Sequence, residues 1–385
     1  MADLAHALDI FAKLVAFDTT SRGSNLALID YVEAFLRERG VEAFRVPSAD
    51  GAKANLFAVI GPRVRGGVVL SGHTDVVPVD GQPWTSDPWT LTKRDGKYFG
   101  RGTADMKCFL ALALAQVEDA LAANLRRPII LAFSYDEEIG CFGVPHLIEA
   151  MALGAPKPMA VIVGEPTNMK VLSAHKGSSN FLVTVTGREA HSSQPHRGVS
   201  ANAEAIKLMH LLMTMAEEAA ADPPPQSLFE PAGATITIGR MQGGTANNIL
   251  ARESAFVWDL RWLPGMDEQP YIDRFAAAAA QADAAIKARA PEGGVAWRRN
   301  SLTPPLAFAP ESPAETLARA LTGDNDTQVA SYTSEAGLFQ RADLPVVLCG
   351  PGSIDQAHQP DEWIAEEQVA QGFAFIAKLI AQLRT

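Results

Sequence analysis

The stretch Val68-Val69-Leu70-Ser71-Gly72-His73-Thr74-Asp75-Val76-Val77-Pro78 decides how the rest of the chain is read. A β-branched, apolar run enters from Gly66-Gly67 and reads as a buried parallel strand. His73 and Asp75 follow as that strand ends, and open α/β sheets place their ligands at C-terminal strand ends. Residues two apart on an extended backbone point the same way. Asp75 is therefore expected to hold the ring of His73 and fix which nitrogen faces outward, as carboxylates behind metal-bound imidazoles do. The plainer alternative is a strand-end turn with a surface His and Asp.

Upstream, Leu4 to Phe17 has apolar residues at helical spacing, and Leu26 to Arg39 predicts a second helix closed by Gly40. Val41 to Val46 and Asn55 to Ile60 predict two strands. Downstream, Trp84 to Trp89 is a loop, and Gly100-Arg101-Gly102-Thr103-Ala104-Asp105 leads into an apolar helix expected over Cys108 to Leu121. At that helix entrance a carboxylate such as Asp105 can cap amides. Pro128 to Ser134 and Ala160 to Val163 are further buried strands, delivering Asp136-Glu137-Glu138 and Gly164-Glu165-Pro166-Thr167. Strands alternating with helices predict an α/β fold with a doubly wound, mostly parallel sheet.

The pattern then changes. Asn180 to Thr186 alternates with period two, as a half-exposed antiparallel strand does. A helix over Ala201 to Glu218, a linker at Asp222-Pro223-Pro224-Pro225, strands over Ala234 to Met241 and Ser254 to Trp262, a helix from about Asp267 to Ala290 and a strand near Val295 to Arg299 follow. That is the split βαβ order of a small, ferredoxin-like α+β domain. After Thr303-Pro304-Pro305 the α/β style returns, with a strand over Leu344 to Cys349 and a closing helix over Glu366 to Leu383. The expected organisation is a catalytic domain in two parts, 1–177 and 301–385, with an inserted lid or dimerisation domain at 178–300.

Composition bounds the function. A hydrophobic share of 47% and a charged share of 20% are those of a globular protein. The net charge of -11 and pI near 5.3 exclude the basic footprint that nucleic acid or an anionic membrane surface requires. Cys108, Cys141 and Cys349 are widely spaced, form no CxxC pair and fit core positions in a reducing compartment. The start Met1-Ala2-Asp3-Leu4-Ala5-His6 has no basic segment followed by an apolar one, so a cytoplasmic protein without a secretory leader is expected.

His73, Asp105, Glu137-Glu138, Glu165 and His358 thus stand at five strand ends or helix entrances. Carboxylates gathered on one edge would repel each other, and cations relieve that. Mixed His/carboxylate ligation suits zinc or a similar divalent ion. A five-ligand set with one bridging carboxylate suits two metals about 3.5–4 Å apart, the arrangement of metal-assisted hydrolysis.

The motifs SGHTDVVP, GRGTADMK, DEE, GEPT and AHQPDE, with AHKG, the AHSS segment, YTSEAGLF and GPGSIDQAHQPDEW, resemble the di-zinc metallopeptidase family of aminoacylases, carboxypeptidases and desuccinylases. The likeness covers nearly the whole chain in the right order and is greatest toward the family's deacetylase branch. It implies two divalent ions per subunit, Zn2+ or Co2+, with His73 and Glu165 on one, Glu138 and His358 on the other, and Asp105 bridging. It further implies Glu137 as the general base and a cis peptide after Asp105. Chain neighbours on an extended backbone point oppositely, which suits separate roles for Glu137 and Glu138.

By the same resemblance His191 donates to the oxyanion of a neighbouring subunit's active site, making the protein a homodimer with a small-molecule N-acyl amino acid as substrate. Asn248, or else Asn247, matches a substrate-contacting Asn. Arg261 could clamp an α-carboxylate or form a surface ion pair. The implied reaction is hydrolysis of N-acetyl-L-ornithine to acetate and L-ornithine, in arginine biosynthesis. The nearest rival, desuccinylation of succinyl-diaminopimelate, goes with Thr-Ser-Asp-Gly-Arg at the segment that here reads Thr333-Ser334-Glu335-Ala336-Gly337-Leu338. That segment has no Arg, and Glu335 suits a substrate with a free ammonium. An aminoacylase or acetylcitrulline deacetylase is a further alternative. A non-catalytic metal-binding scaffold is the alternative outside enzymes, and Glu137, which only catalysis needs, argues against it.

Overall fold

The structure is a computed structural model that describes residues 3–384. Two helices, α1 (Leu4–Val15) and α2 (Leu26–Glu38), precede β1 (Ala43–Pro47), β2 (Ala54–Ile60) and β3 (Val68–His73). A short hairpin, β4 (Thr92–Arg94) and β5 (Lys97–Phe99), leads to α3 (Lys107–Ala115), α4 (Val117–Ala122), β6 (Ile129–Ser134), α5 (Val144–Gly154), β7 (Ala160–Val163) and β8 (Leu172–His175). Then come β9 (Gly177–Thr186), α6 (Ala201–Ala221), β10 (Thr235–Gly243), β11 (Glu253–Trp262), α7 (Gln269–Lys287) and β12 (Gly294–Thr303). The chain closes with α8 (Pro313–Thr322), β13 (Gln328–Ala330), α9 (Ala336–Arg341), β14 (Val346–Leu348), β15 (Trp363–Ala365) and α10 (Glu366–Leu383).

Two compact units result. One holds residues up to 174, 308–328 and from 334 onward; the other holds 175–307 and 329–333.

In the first unit the sheet runs β1-β2-β6-β3-β7-β14-β8. Its centre is parallel: β3 pairs with β6 on one side and β7 on the other, and β14 continues beside β7. The β1-β2 hairpin and β8 add antiparallel strands outside that centre. Every residue of β3, β6 and β7 is buried, which explains their continuous apolar runs. Helix α3 is wholly buried and, past Lys107, apolar on all sides, packed against α1, α10 and β3. The helix expected over Cys108 to Leu121 is interrupted at Gln116, whose side-chain amide donates to the Phe373 carbonyl at 2.8 Å. Cys108, Cys141 and Cys349 are all buried.

The second unit is a four-stranded antiparallel sheet in the order β10-β11-β9-β12, with α6 and α7 packed on it. Its central strands bury alternate residues, as period two requires. In its core Phe181 stacks on Trp258 with ring centroids 4.2 Å apart, and Phe275 packs tilted against Trp258 at 5.1 Å. Among the described residues no helix is long and apolar enough to cross a membrane.

Candidate active site

The parallel strands deliver polar residues at one edge of the first unit's sheet. His73 is the last residue of β3, Glu137 and Glu138 follow β6, and Glu165 follows β7. Asp105 arrives from the loop before α3, and close packing brings it there. A Cβ built on Gly72 would lie 2.5 Å from Met106 Cε, and one on Gly164 would lie 2.1 Å from the Phe109 ring. Only glycine lets the start of α3 sit this near the ends of β3 and β7. The Asp105–Met106 peptide is cis. Met106, not Asp105, occupies the N-cap position of α3, so the Asp105 carboxylate is not a helix cap.

That carboxylate instead stands between two histidines. Asp105 Oδ1 lies 2.9 Å from His73 Nε2, and Oδ2 lies 3.4 Å from His358 Nε2. His358 Nε2 is also 3.0 Å from Glu138 Oε2. Two groups of ligand atoms result, each lying within 4.8 Å of one another: His73, Asp105 and Glu165, and Asp105, Glu138 and His358. Asp105 is common to both, with one oxygen turned to each. Glu138 Oε1 and Glu165 Oε1 are buried without a hydrogen-bond partner. Buried polar atoms are ordinarily satisfied, so two orphaned carboxylate oxygens among imidazole nitrogens fit a pair of divalent cations.

The electrostatics agree. Burial, then the charges of Glu138, Asp105 and Asp75, raises the pKa of Glu137 well above the usual carboxylate range, against the pull of His73. Burial and the nearby Asp105 and Glu137 do the same to Glu165, and burial with Asp105 raises Glu138. Burial alone would lower His73, but its hydrogen bond to Asp105 and the surrounding carboxylates carry it well upward. His358 is pushed up to about 11, chiefly by its contacts with Asp105 and Glu138. The cluster thus holds more negative charge than it can share without protons or cations.

Asp75 acts differently from the expectation. His73 Nδ1 is 2.8 Å from the backbone carbonyl of Asp75, while the nearer carboxylate oxygen is 3.8 Å away. The Asp75 carboxylate accepts the amides of Glu137 and Glu138 at 3.1 and 3.3 Å and the Ser21 hydroxyl at 2.6 Å. It therefore orients the Glu137-Glu138 turn, and the carbonyl orients the ring. Tight strand-end turns allow this, and the two-residue spacing alone could not distinguish it. Glu362, quoted within a motif but given no role, is 1% exposed and accepts the Asp105 amide at 3.0 Å. Its signal in the sequence was an acid four residues beyond His358.

Glu335 requires a correction. It is fully buried, and its two oxygens accept the hydroxyls of Ser71 and Ser134 at 2.5 and 2.6 Å. It ties β3 to β6 beneath their ends and is not open to a substrate's ammonium group. In the second unit, His191 and Asn248 lie on adjacent extended segments: His191 bridges Ile249, and the Ser192 amide donates to the Asn248 carbonyl at 2.9 Å. Both are exposed, and His191 Nδ1 is 2.8 Å from Ser193 Oγ. Arg261 Nε donates to Asp259 at 3.2 Å.

The chain resembles known proteins in sequence and in fold. Residues 69–382 match the model of Peptidase family M20/M25/M40. The acetylornithine deacetylase of Erwinia tasmaniensis is 34% identical over 374 residues, covering 94% of this chain and 93% of that protein. An M20 family metallo-carboxypeptidase, Sso-CP2 from Sulfolobus solfataricus, superposes with a TM-score of 0.78 at 17% identity, over 98% of this chain and 99% of that one. Bacillus subtilis YXEP protein, described as a dinuclear metal binding peptidase from the M20 family, covers 98% of each chain with a TM-score of 0.61 at 15% identity. The family match spans most of the chain and the deacetylase likeness runs through nearly all of it, so the chain belongs to Peptidase family M20/M25/M40 and is a metal-dependent hydrolase.

Proposed function

We propose that the protein hydrolyses the acetyl amide of N-acetyl-L-ornithine, releasing acetate and L-ornithine for arginine biosynthesis. The observation that carries the reading is the pair of ligand clusters sharing Asp105, with the Glu137 carboxylate beside them and in neither. The deacetylase relative supports the choice of substrate. His73, Asp105 and Glu165 would hold one divalent ion and Asp105, Glu138 and His358 the other, zinc or cobalt in each case. When bound, such a pair polarises an acyl carbonyl and lowers the pKa of water.

The chain's own residues carry the proton. Glu137 accepts it from the attacking water and delivers it to the leaving nitrogen as the C–N bond breaks. Asp75 holds the Glu137 amide, so the base turns with a fixed backbone. His191, with Asn248 beside it, donates to the oxyanion of the tetrahedral species. Arg261 binds the substrate's α-carboxylate in exchange for Asp259.

His191 does so for a partner subunit in a homodimer. Support comes from β10, an edge strand that leaves one side of its ladder unpaired, as strands that recruit a second chain do. Ile206, Met213 and Met241 beside it are exposed around a groove of about 500 Å³. A sparse, odd set of three widely spaced, buried cysteines supports a reducing compartment, the cytoplasm.

The test is a comparison of acetylornithine, acetylcitrulline, acetylmethionine and succinyl-diaminopimelate as substrates. Acetylornithine should exceed succinyl-diaminopimelate in kcat/KM by more than tenfold, a preference of over about 1.4 kcal/mol. Equal or reversed preference would move the protein to the desuccinylase reading.

A further inference from the structure

Gln82, Arg101 and Glu362 belong to neither ligand cluster, yet they join the loops that carry Asp105 and His358. The Arg101 and Glu362 side chains are each 1% exposed, and Arg101 Nη1 donates to Glu362 Oε2 at 2.6 Å. The same carboxylate accepts three backbone amides: Gly102 at 3.0 Å, Ala104 at 2.8 Å and Asp105 at 3.0 Å. Arg101 Nη2 donates to Gln82 Oε1 at 2.6 Å, and Trp84 Nε1 donates to the same oxygen at 3.1 Å. Gln82 Nε2 then donates to the backbone carbonyl of His358 at 2.9 Å. Beyond it, Asp361 accepts the amide and hydroxyl of Thr85, both at 2.8 Å.

His358 needs such fastening more than the other ligands do. Its φ is +64°, a left-handed conformation that a non-glycine residue keeps only when its surroundings enforce it. Its side chain is 50% exposed, so packing does not fix it. His73, by contrast, ends a fully buried central strand, and Glu165 is buried just past the end of another. Loss of the fastening should therefore fall on His358 and leave His73 and Glu165 in place.

We propose that the Gln82–Arg101–Glu362 network sets the affinity of the metal held by Asp105, Glu138 and His358 without contacting it. This rests on the two-metal reading above. The three are positioning residues: Glu362 fixes the backbone of Asp105, Gln82 fixes that of His358, and Arg101 links the two. Partners behind metal ligands typically matter by about 10- to 100-fold in metal affinity.

The experiment is calorimetric titration of metal-stripped full-length protein with Zn2+ against a competing chelator. It compares wild type with Gln82→Ala and Gln82→Glu. The Glu variant keeps an acceptor for Arg101 and Trp84 but sets a charged, acceptor-only oxygen against the His358 carbonyl, whereas the Ala variant removes the side chain without adding charge. Both variants should weaken the second binding step by about 10- to 100-fold and leave the first unchanged. The absorption spectrum of the first Co2+ equivalent should also match wild type. Two steps that weaken together, or a second step that does not move, would overturn the network's role. A wild-type protein that takes up a single equivalent would overturn the two-metal reading, and this inference with it.

Discussion

Glu137 and Glu138 are chain neighbours with different surroundings. Glu138 Oε2 lies 3.0 Å from His358 Nε2, whereas Glu137 belongs to neither ligand cluster and has Cys141 Sγ 3.5 Å from its Oε1. A base near the reacting centre works best with a pKa raised toward the working pH, and burial moves Glu137 that way. Glu137→Gln should bind both metals with wild-type stoichiometry and lose about 10²–10⁴-fold in kcat. Metal analysis beside steady-state kinetics measures this; a metal-replete Gln variant with wild-type kcat would remove Glu137 from the mechanism. The gathering of His73, Asp105, Glu138, Glu165 and His358 was legible in the sequence because His and carboxylates recur at successive strand ends. Glu335 was not legible in the same way. Nothing in Thr333-Ser334-Glu335 tells a carboxylate facing solvent from one buried under two serine hydroxyls, because Ser71 and Ser134 are contributed by distant strands.

At the scale of elements, each candidate metal ligand is carried by a different strand end or loop, so the cluster's charge acts between elements. In the folded, metal-free chain the pKa values of Glu137, Glu138 and Glu165 are raised, first by burial. That of His73 is raised by Asp105 against burial, and that of His358 reaches about 11 through Asp105 and Glu138. A raised acid and a raised imidazole have the same sign: the folded state binds more protons than the unfolded one, so stability falls as pH rises. Asp105, held below its ordinary value of 3.8, has the opposite sign, and only in the acid range. Lys107, which burial lowers to about 7, also has the opposite sign, but it is no ligand and acts alike in metal-free and metal-loaded protein. Metal-free protein should therefore lose thermal stability relative to metal-loaded protein, whose ligands carry cations in place of protons, as pH rises above about 6.5. Melting curves with and without chelator test this, and a Tm difference that stays constant or narrows as pH rises would contradict it. The regular elements were largely readable from period, because β3, β6 and β7 are apolar throughout and β9 and β11 alternate. Most of the unread strands are short or depend on distant partners, whereas α5 and α8 are unread helices of 11 and 10 residues. The three-residue β15 exists through pairing with β5, and the break before α4 is set by a contact of Gln116 with Phe373.

For the molecule as a whole, the division of residues between the two units sets the last prediction. His73, Asp105, Glu137, Glu138, Glu165 and His358 all belong to the first unit, and His191 and Asn248 belong to the second. If His191 serves a partner's centre, each active site of a homodimer draws Glu137 from one chain and His191 from the other. His191→Ala should then cost about 10²–10³ in kcat, as removal of one oxyanion donor does, with metal content intact. A mixture of two dead variants discriminates between the arrangements. In a hybrid dimer of Glu137→Gln with His191→Ala, one site receives both lesions and the other receives both wild-type residues, so activity should reappear as subunits exchange. If His191 serves its own chain, each site in the hybrid keeps one lesion and the mixture stays dead. Exchange is followed independently with differently tagged subunits. A fully exchanged mixture without activity would confine His191 to its own chain while leaving the chemistry of Glu137 and the two ligand clusters untouched.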